Sequence, residues 1–184
     1  MATRFLDILF ASLGLIIGFP LLLILIFLGW IDTRSPVFRQ TRVGYNQQPF
    51  ILIKFRTMRI GTADVATHLA NASSITPFGR FLRRTKLDEL PQLWNVLKGE
   101  MSLVGPRPCL PTQQELINAR AGLDVFAVRP GITGLAQVQG IDMSTPEKLA
   151  QTDAEMIRSI SLRRYFQYIL QTVLGSGSWD RVKM

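Results

Sequence analysis

The chain has 184 residues, 47% of them apolar, and a formal net charge of +8. Its length suits one domain with a core of its own, and its charge favours an anionic partner such as lipid, nucleic acid or a phosphorylated substrate. The single cysteine, Cys109, and the single histidine, His68, exclude an intramolecular disulfide, a Cys/His zinc cluster and Ser-His-Asp or Cys-His catalysis. Any chemistry must use carboxylates, cations or an oxygen-liganded metal.

The first element is an uncharged apolar block from Ile8 to Ile31, long enough to cross a bilayer as a helix. Pro20 lies inside it and predicts a kink, because an internal proline removes a helical hydrogen bond. Arg4 precedes the block while Arg34 and Arg39 follow it, so the flanking charges do not set an orientation. Two readings stay open: a straight spanning helix, and a re-entrant hairpin bent at Pro20.

A β-hairpin is predicted next. Residues Pro36 to Val43 alternate and are β-prone, the segment GYNQQP supplies turn chemistry, and Phe50 to Phe55 form a second strand. The small, polar stretch from Gly61 to Ser74 predicts a loop or a short helix. His68, which lies there, is expected to be solvated.

The segment TPFGRFLRRTK is predicted to form a basic amphipathic helix. Apolar side chains alternate with cations at helical spacing, namely Phe78, Phe81 and Leu82 with Arg80, Arg83, Arg84 and Lys86. This pattern is typical of a helix at a membrane interface. An ordinary surface helix with a solvated basic face is the alternative.

Four further helical segments follow in chain order. The stripe Leu90, Leu93, Trp94 and Leu97, ended by Gly99, predicts a helix with a core-facing side. Helices are also predicted over Thr112 to Ala119 and after Ser144, with RPGITG as a loop between them. The last segment, SLRRYFQYILQTVLG, is amphipathic and basic, which suits a membrane surface.

Asp88 and Glu89 are the first candidates for chemistry. They follow a run of cations and precede the Leu90 helix, so two acids and several phosphate-binding side chains converge. The alternative is structural: Thr85-x-x-Asp88 fits a capping box, and acids favour the first turn of a helix.

The second candidate is Arg107 in the motif GPRP, residues Gly105 to Pro108. Two prolines stiffen this loop, which suits a fixed bidentate grip on phosphate oxygens. The alternative is a rigid turn whose arginine pairs with a carboxylate.

Three runs stand in a fixed order behind the apolar block: KFRTM, RRTKLDELPQLWNVLKGEMSLVGPRP and RPGITGLAQVQG. Together they closely resemble the bacterial sugar transferase family of monotopic phosphoglycosyl transferases, in its minimal catalytic form. The resemblance covers the chain from the apolar block to about Gly140 and continues more loosely to Leu174.

The resemblance implies a mostly helical α+β fold. Residues 1–34 would be a re-entrant membrane helix-break-helix with its break at Pro20. Residues 35–174 would form a compact catalytic domain with the β-hairpin and amphipathic interfacial helices, and residues 175–184 a C-terminal tail. The domain would lie on the cytoplasmic face of the bacterial cytoplasmic membrane.

The resemblance also implies an activity. The enzyme would move a sugar 1-phosphate from a UDP-sugar to polyprenyl (undecaprenyl) phosphate and release UMP, as a first membrane step of glycoconjugate synthesis. Asp88 would attack the β-phosphorus and form a covalent phosphosugar, with Glu89 as the second member of a catalytic dyad. Mg²⁺ would be held by Asp88 or Glu89 together with diphosphate oxygens.

Four cations are expected to neutralise phosphate charge: Lys54, Arg83, Arg107 and Arg129.

Anionic membrane lipids are expected partners, a homodimer is possible, and nucleic acid is not expected. The chain reads Gln137-Val138-Gln139-Gly140-Ile141 where common family members read QVNGR, which leaves the sugar open, with an N-acetylated or deoxy aminosugar preferred. Two rival functions remain: a membrane-anchored basic scaffold, and a lipid-linked glycosyltransferase that releases UDP.

Overall fold

A computed structural model describes residues 2–62 and 72–175; His68 lies outside them. The fold is α+β, as expected from the sequence. The helices are α1 (Ala2–Thr33), α2 (Pro77–Thr85), α3 (Gln92–Lys98), α4 (Gln114–Ala121), α5 (Leu135–Val138), α6 (Pro146–Ser159) and α7 (Leu162–Val173). The strands are β1 (Val37–Val43), β2 (Pro49–Phe55), β3 (Ser102–Val104) and β4 (Gly131–Thr133).

Helix α1 is the apolar block, with a mean hydropathy of 2.7 over its most apolar stretch, so its length and composition would let it cross a membrane. It runs without interruption through Pro20. The expected break into two helices is therefore not present as a change of secondary structure. A proline removes one hydrogen bond, and neighbouring turns on both sides can keep the helix continuous.

The predicted hairpin is confirmed. Strands β1 and β2 pair antiparallel, with Val37 opposite Phe55 and Val43 opposite Pro49. A 3₁₀ turn, Tyr45–Gln47, joins them. One face of β1 carries two buried polar residues, Gln40 and Arg42.

Helix α3 packs between α1 and the hairpin. Its Val96 joins a buried cluster with Ala11 of α1 and Leu52 of β2, and Leu93 packs at its edge. The predicted stripe was only partly right, because Trp94 is 53% exposed. The inward side of α3 instead carries Gln92 and Asn95 with Val96, since polar groups of the hairpin backbone need partners there.

Strands β3 and β4 form a short parallel pair that joins Ser102 to Gly131 and Val104 to Thr133. The sequence predicted a loop for the β4 segment, and that interpretation was wrong. Gly131 permits the pairing, because a Cβ at that position would lie 2.0 Å from the Gly105 nitrogen. The two glycine-containing motifs thus touch through their backbones.

The remaining helices complete the domain. Helix α4 begins two residues later than predicted and packs against α6, burying Leu116 and Leu149. Helix α7 buries Tyr165 and Tyr168 and leaves Phe166, Leu170 and Val173 exposed. Its exposed apolar face is the one that the sequence predicted for contact with a membrane.

Candidate active site

Asp88 and Glu89 lie in a 3₁₀ turn, Leu87–Glu89, between α2 and α3. Lys86 ends α2 in the left-handed region, with φ 57°, and so reverses the chain before the acids. Thr85 Oγ1 donates to the carbonyls of Phe81 and Leu82 in its own helix. Thr85 is thus the last residue of α2 and not the N-cap of the following turn, where Lys86 stands, so the capping-box interpretation was wrong.

Helix α2 brings Arg83 to the KFRTM segment. Thr76 caps this helix by accepting from the Gly79 nitrogen at 2.9 Å. A Cβ on Gly79 would lie 2.0 Å from the Thr57 carbonyl oxygen, so only glycine allows this approach. One turn later, Arg83 Nε donates to Thr57 Oγ1 at 2.9 Å.

Lys54, on β2, lies within the same cluster of charges. Burial lowers the pKa of its ammonium to about 8, with Asp88 opposing that shift and Arg42, Arg83 and Arg107 adding to it. Asp88 itself is 7% exposed. The structure therefore brings Lys54, Arg83, Arg107 and Asp88 into one electrostatic neighbourhood.

The GPRP loop is held by the β4 segment. The Gly105 nitrogen donates to the Thr133 carbonyl at 2.8 Å, and the Gly131 nitrogen to the Pro106 carbonyl at 2.9 Å. From this loop Arg107 reaches towards the Leu87–Glu89 turn, with Nη1 3.4 Å from Glu89 Oε1. The predicted carboxylate partner of this arginine is thus one of the two candidate acids.

Arg42 is a further cation of the site, and the sequence did not single it out. It is 7% exposed; its Nη1 donates to the Pro108 carbonyl at 2.9 Å and its Nε to Gln40 Oε1 at 2.9 Å. Gln and Arg two residues apart on a predicted strand share one face. That alternation is the signal by which these residues could have been found.

A cleft of about 330 Å³, including its open mouth, lies between the hairpin, the Leu87–Glu89 turn and the GPRP loop. Its lining residues are Arg42, Leu52, Lys54, Glu89, Gln92, Arg107, Pro108, Gly131 and Ile132. Glu89 lines the cleft, while Asp88 is buried beside it. The cleft therefore offers several cations and one carboxylate to an anionic ligand.

Arg129 occupies a different place. Its Nε donates to the Gly99 carbonyl at 2.8 Å, and its guanidinium carbon lies 5.5 Å from the centre of the Tyr45 ring. Neither contact lines the cleft. The structure thus does not bring the Arg129 guanidinium to the other predicted phosphate-binding residues.

The chemistry of Asp88 and Glu89 fits a magnesium ion in part. Within residues 2–62 and 72–175, no group of three or more His, Cys, Asp or Glu residues could enclose a metal ion. Magnesium commonly takes only one or two carboxylates and completes its shell with substrate phosphates and water. Two adjacent acids beside a cationic cleft match that mode of binding.

The structure thus combines a helix long and apolar enough to cross a membrane with a cleft lined by three cations, a combination that suggests a membrane-associated protein. The sequence profile of the bacterial sugar transferase family matches residues 1–176. The chain belongs to the bacterial sugar transferase family.

Three relatives illustrate the similarity. The chain is 40% identical over 180 residues to a UDP-glucose:undecaprenyl-phosphate glucose-1-phosphate transferase of Caulobacter vibrioides, covering 92% of this chain and 67% of that protein. It is 36% identical to the exopolysaccharide production protein ExoY of Rhizobium meliloti, covering 97% and 88%. It is also 36% identical to the UDP-galactose-lipid carrier transferase of Erwinia amylovora, covering 84% of this chain but only 36% of that protein.

Proposed function

We propose that this protein transfers a sugar 1-phosphate from a UDP-sugar to undecaprenyl phosphate, releasing UMP, as a membrane step of glycoconjugate synthesis. The observation that carries the proposal is the cleft itself: Lys54, Arg42 and Arg107 line it together with Glu89, and Asp88 acts on Lys54 from beside it. The names of the relatives support the two substrate classes. Membership of the family supports the reaction.

The transfer would take place in two displacements. A carboxylate oxygen of Asp88 forms a bond to the β-phosphorus. The bond from that phosphorus to the bridging oxygen breaks, and the bridging oxygen leaves as part of UMP. An oxygen of the polyprenyl phosphate then attacks the same phosphorus and releases the Asp88 carboxylate. Dividing the reaction lets a soluble donor and a lipid acceptor use one site in turn.

The cations would bind or neutralise different phosphate groups of the substrates. Arg107, 3.4 Å from Glu89, can exchange that partner for a phosphate oxygen at the mouth of the cleft. Lys54 lies deeper and close enough to Asp88 to neutralise charge at the reacting phosphorus. Arg83 adds positive potential from α2. A role for Arg129 stays a prediction, since its guanidinium is engaged with Gly99 and Tyr45.

Magnesium would be held by Asp88 or Glu89 together with the donor diphosphate. When bound, it would supply positive charge that stabilises the oxygens of the transferred phosphoryl group. Glu89, which lines the cleft, is the better placed of the two acids to meet an ion that enters with the donor.

For the membrane segment we propose a re-entrant arrangement in which both ends of α1 stay on the cytoplasmic face. Near its start, Ala11 is fully buried and Asp7 accepts from the Leu103 nitrogen at 2.9 Å. Near its end, Leu25 is 2% exposed and Asp32 accepts from Thr76 Oγ1 at 2.7 Å. Both ends of the helix thus contact one domain.

A spanning helix would place those ends on opposite sides of a hydrocarbon layer about 30 Å thick. One folded domain on one face could not contact both ends across that layer. The helix residues between Ala11 and Leu25 are all at least partly exposed, and Pro20 lies near their midpoint. This central stretch would enter the bilayer, while the exposed face of α7 and the cations of α2 would meet anionic headgroups.

The decisive experiment measures the nucleotide product. Purified full-length protein with Mg²⁺ and undecaprenyl phosphate is incubated with a panel of UDP-sugars that includes glucose, galactose and N-acetylated aminosugars. UMP release is expected with at least one donor, and UDP release would favour a glycosyltransferase. No nucleotide release from any donor would favour the basic scaffold.

Two variants test the mechanism. Asp88→Asn should abolish UMP release and the phosphosugar adduct seen by mass spectrometry, while membrane association persists. Asp124→Asn is the matched control, because Asp124 is exposed in a left-handed conformation that asparagine also adopts. Substantial turnover by Asp88→Asn would reject the covalent route.

A further inference from the structure

A fully buried ion pair lies behind the GPRP loop and does not line the cleft. Arg120 of α4 is 1% exposed and Asp153 of α6 is 0% exposed. Two nitrogens of Arg120, Nη2 and Nε, donate to Asp153 Oδ2 at 2.7 and 3.0 Å. The pair thus joins two helices of the domain core.

The third nitrogen of the same guanidinium points to the site. Arg120 Nη1 donates to the main-chain carbonyl of Arg107 at 2.8 Å. The side chain of Arg107 in turn reaches Glu89. A continuous set of contacts therefore runs from Asp153 through Arg120 and Arg107 to the Leu87–Glu89 turn.

Stability alone gives a poor account of this pair. Desolvating two charges costs several kcal/mol per ion, and apolar residues of similar volume are often as good or better in such positions. Asp153 Oδ1 also has no hydrogen-bond partner among the described residues. Burial raises the pKa of the Asp153 carboxyl, while the Arg120 guanidinium opposes that shift.

The geometry gives the pair another use. An arginine carries its five N–H donors on three nitrogens of a rigid plane, and here two of those nitrogens, Nε and Nη2, are fixed on one carboxylate oxygen. The third nitrogen, Nη1, is thereby aimed at the carbonyl of Arg107. Without it, only the neighbouring carbonyls would be held, that of Pro106 by the Gly131 nitrogen and that of Pro108 by Arg42.

We propose that Arg120 and Asp153 are positioning residues that fix the Arg107 peptide and so set the reach of the Arg107 side chain towards the donor phosphates. The inference rests on the proposed function. Neither residue would touch the substrate, and both would act only through Arg107.

The test removes the whole pair rather than one partner. In the full-length protein, the double variant Arg120→Met with Asp153→Leu should fold with a melting temperature close to that of the wild type, since no charge is left buried alone. Its kcat/KM for the UDP-sugar should fall on the order of 100-fold, the loss that a misplacement of about 1 Å can cause.

A double-mutant cycle with Arg107 tests whether Arg120 and Asp153 position that residue or only stabilise the fold. Arg107→Lys should reduce kcat/KM on the order of 100-fold in the wild type but less than about 5-fold in the double variant, because residues that act as a unit are not additive. Leu116→Ala on the same helix is the control. It should lower the melting temperature yet leave the Arg107→Lys effect undiminished, with rates normalised to folded enzyme.

Wild-type kinetics in a folded double variant, or full additivity with Arg107→Lys, would overturn the inference while leaving the function intact. Absence of UMP release from the wild type would instead reject the proposed function. If the double variant does not fold, Arg120→Lys is the variant to measure. Lysine keeps the positive charge but lacks the planar guanidinium that bonds Asp153 and Arg107 at the same time. A folded Arg120→Lys protein with normal kcat/KM would equally overturn the inference.

Discussion

Arg107 Nη1 lies 3.4 Å from Glu89 Oε1, across the mouth of the candidate site. This separation is longer than that of a strong charge-assisted hydrogen bond, which is about 2.8 Å. Both side chains are partly exposed, at 32% and 18%. On the proposed function, we expect a phosphate oxygen of the donor to replace the Glu89 carboxylate as a partner of Arg107.

Replacing Arg107 with alanine should weaken catalysis far more than folding. Loss of a donor aimed at developing charge costs about 10²- to 10³-fold in kcat, while a partly exposed ion pair contributes at most about 1 kcal/mol to stability. UMP release and thermal unfolding measure the two effects. Arg129→Ala is the comparison, with an expected loss below about 10-fold, since Arg129 contacts Gly99 and Tyr45. An equal loss of kcat in both variants would mean that Arg129 also contacts the substrate phosphates.

Lys54 should give the reaction an alkaline limit. The pKa of its ammonium in the folded protein is about 8, below the ordinary 10.5, chiefly because of burial. The charged form that attracts phosphate is therefore lost as the pH rises through about 8, and kcat/KM, which reports the free enzyme, should fall there. The burial cost works in the opposite sense on stability, since it is present below about pH 8 and is relieved as the pH rises towards 10.5.

Lys54→Arg tests that assignment, because a guanidinium stays charged throughout this range. The variant should retain measurable activity and lose the fall in kcat/KM near pH 8. An unchanged pH profile in Lys54→Arg would assign the limit to another group.

The sequence predicted those parts of the site that are contiguous in the chain. The hairpin, the Asp88-Glu89 turn and GPRP each have a local signature, and the structure contains the first as predicted and brings the other two together. Arg129 shows the limit of this reasoning. Gly131 of the same motif contacts GPRP, yet the Arg129 side chain points to Gly99 and Tyr45 instead of the cleft. No local sequence pattern predicts that direction.

The long-range polar contacts could not be predicted. Arg120 lies in a helix without a marked apolar face, and its partners Asp153 and Arg107 are distant in sequence. The parallel pairing of β3 with β4 depends in the same way on the contact between Gly105 and Gly131. Three-residue strands carry too little alternation to be recognised.

Asn95 is expected to hold the strand that bears Lys54. This fully buried amide donates to the Ile51 carbonyl at 2.7 Å and to Glu100 at 2.6 Å, and it accepts from the Ile53 nitrogen at 3.1 Å. Asn95→Ala should destabilise the protein by about 2 to 5 kcal/mol, because backbone groups of β2 lose their partners and a cavity remains.

The variant Asn95→Asp tests the burial of this side chain through the pH dependence of stability. Burial beside Glu100 should raise the pKa of the new carboxyl, so its charge penalises folding above that pKa and the penalty disappears as the pH falls. The loss of melting temperature relative to the wild type should thus be smaller at pH 5 than at pH 8. A pH-independent difference would mean that neither burial nor Glu100 shifts the pKa of a carboxyl at position 95.

Cysteine labelling can distinguish a re-entrant α1 from a spanning one. The native Cys109 is fully buried, so the wild type should resist a membrane-impermeant maleimide and serve as the background. Thr3→Cys and Arg39→Cys place single thiols on either side of the apolar stretch. If both ends of α1 contact one cytoplasmic domain, both thiols should react in inside-out vesicles and neither in intact spheroplasts. Labelling of one thiol in each preparation would require a spanning helix, and the contacts of Asp7 and Asp32 with the same domain could not then both exist in the membrane.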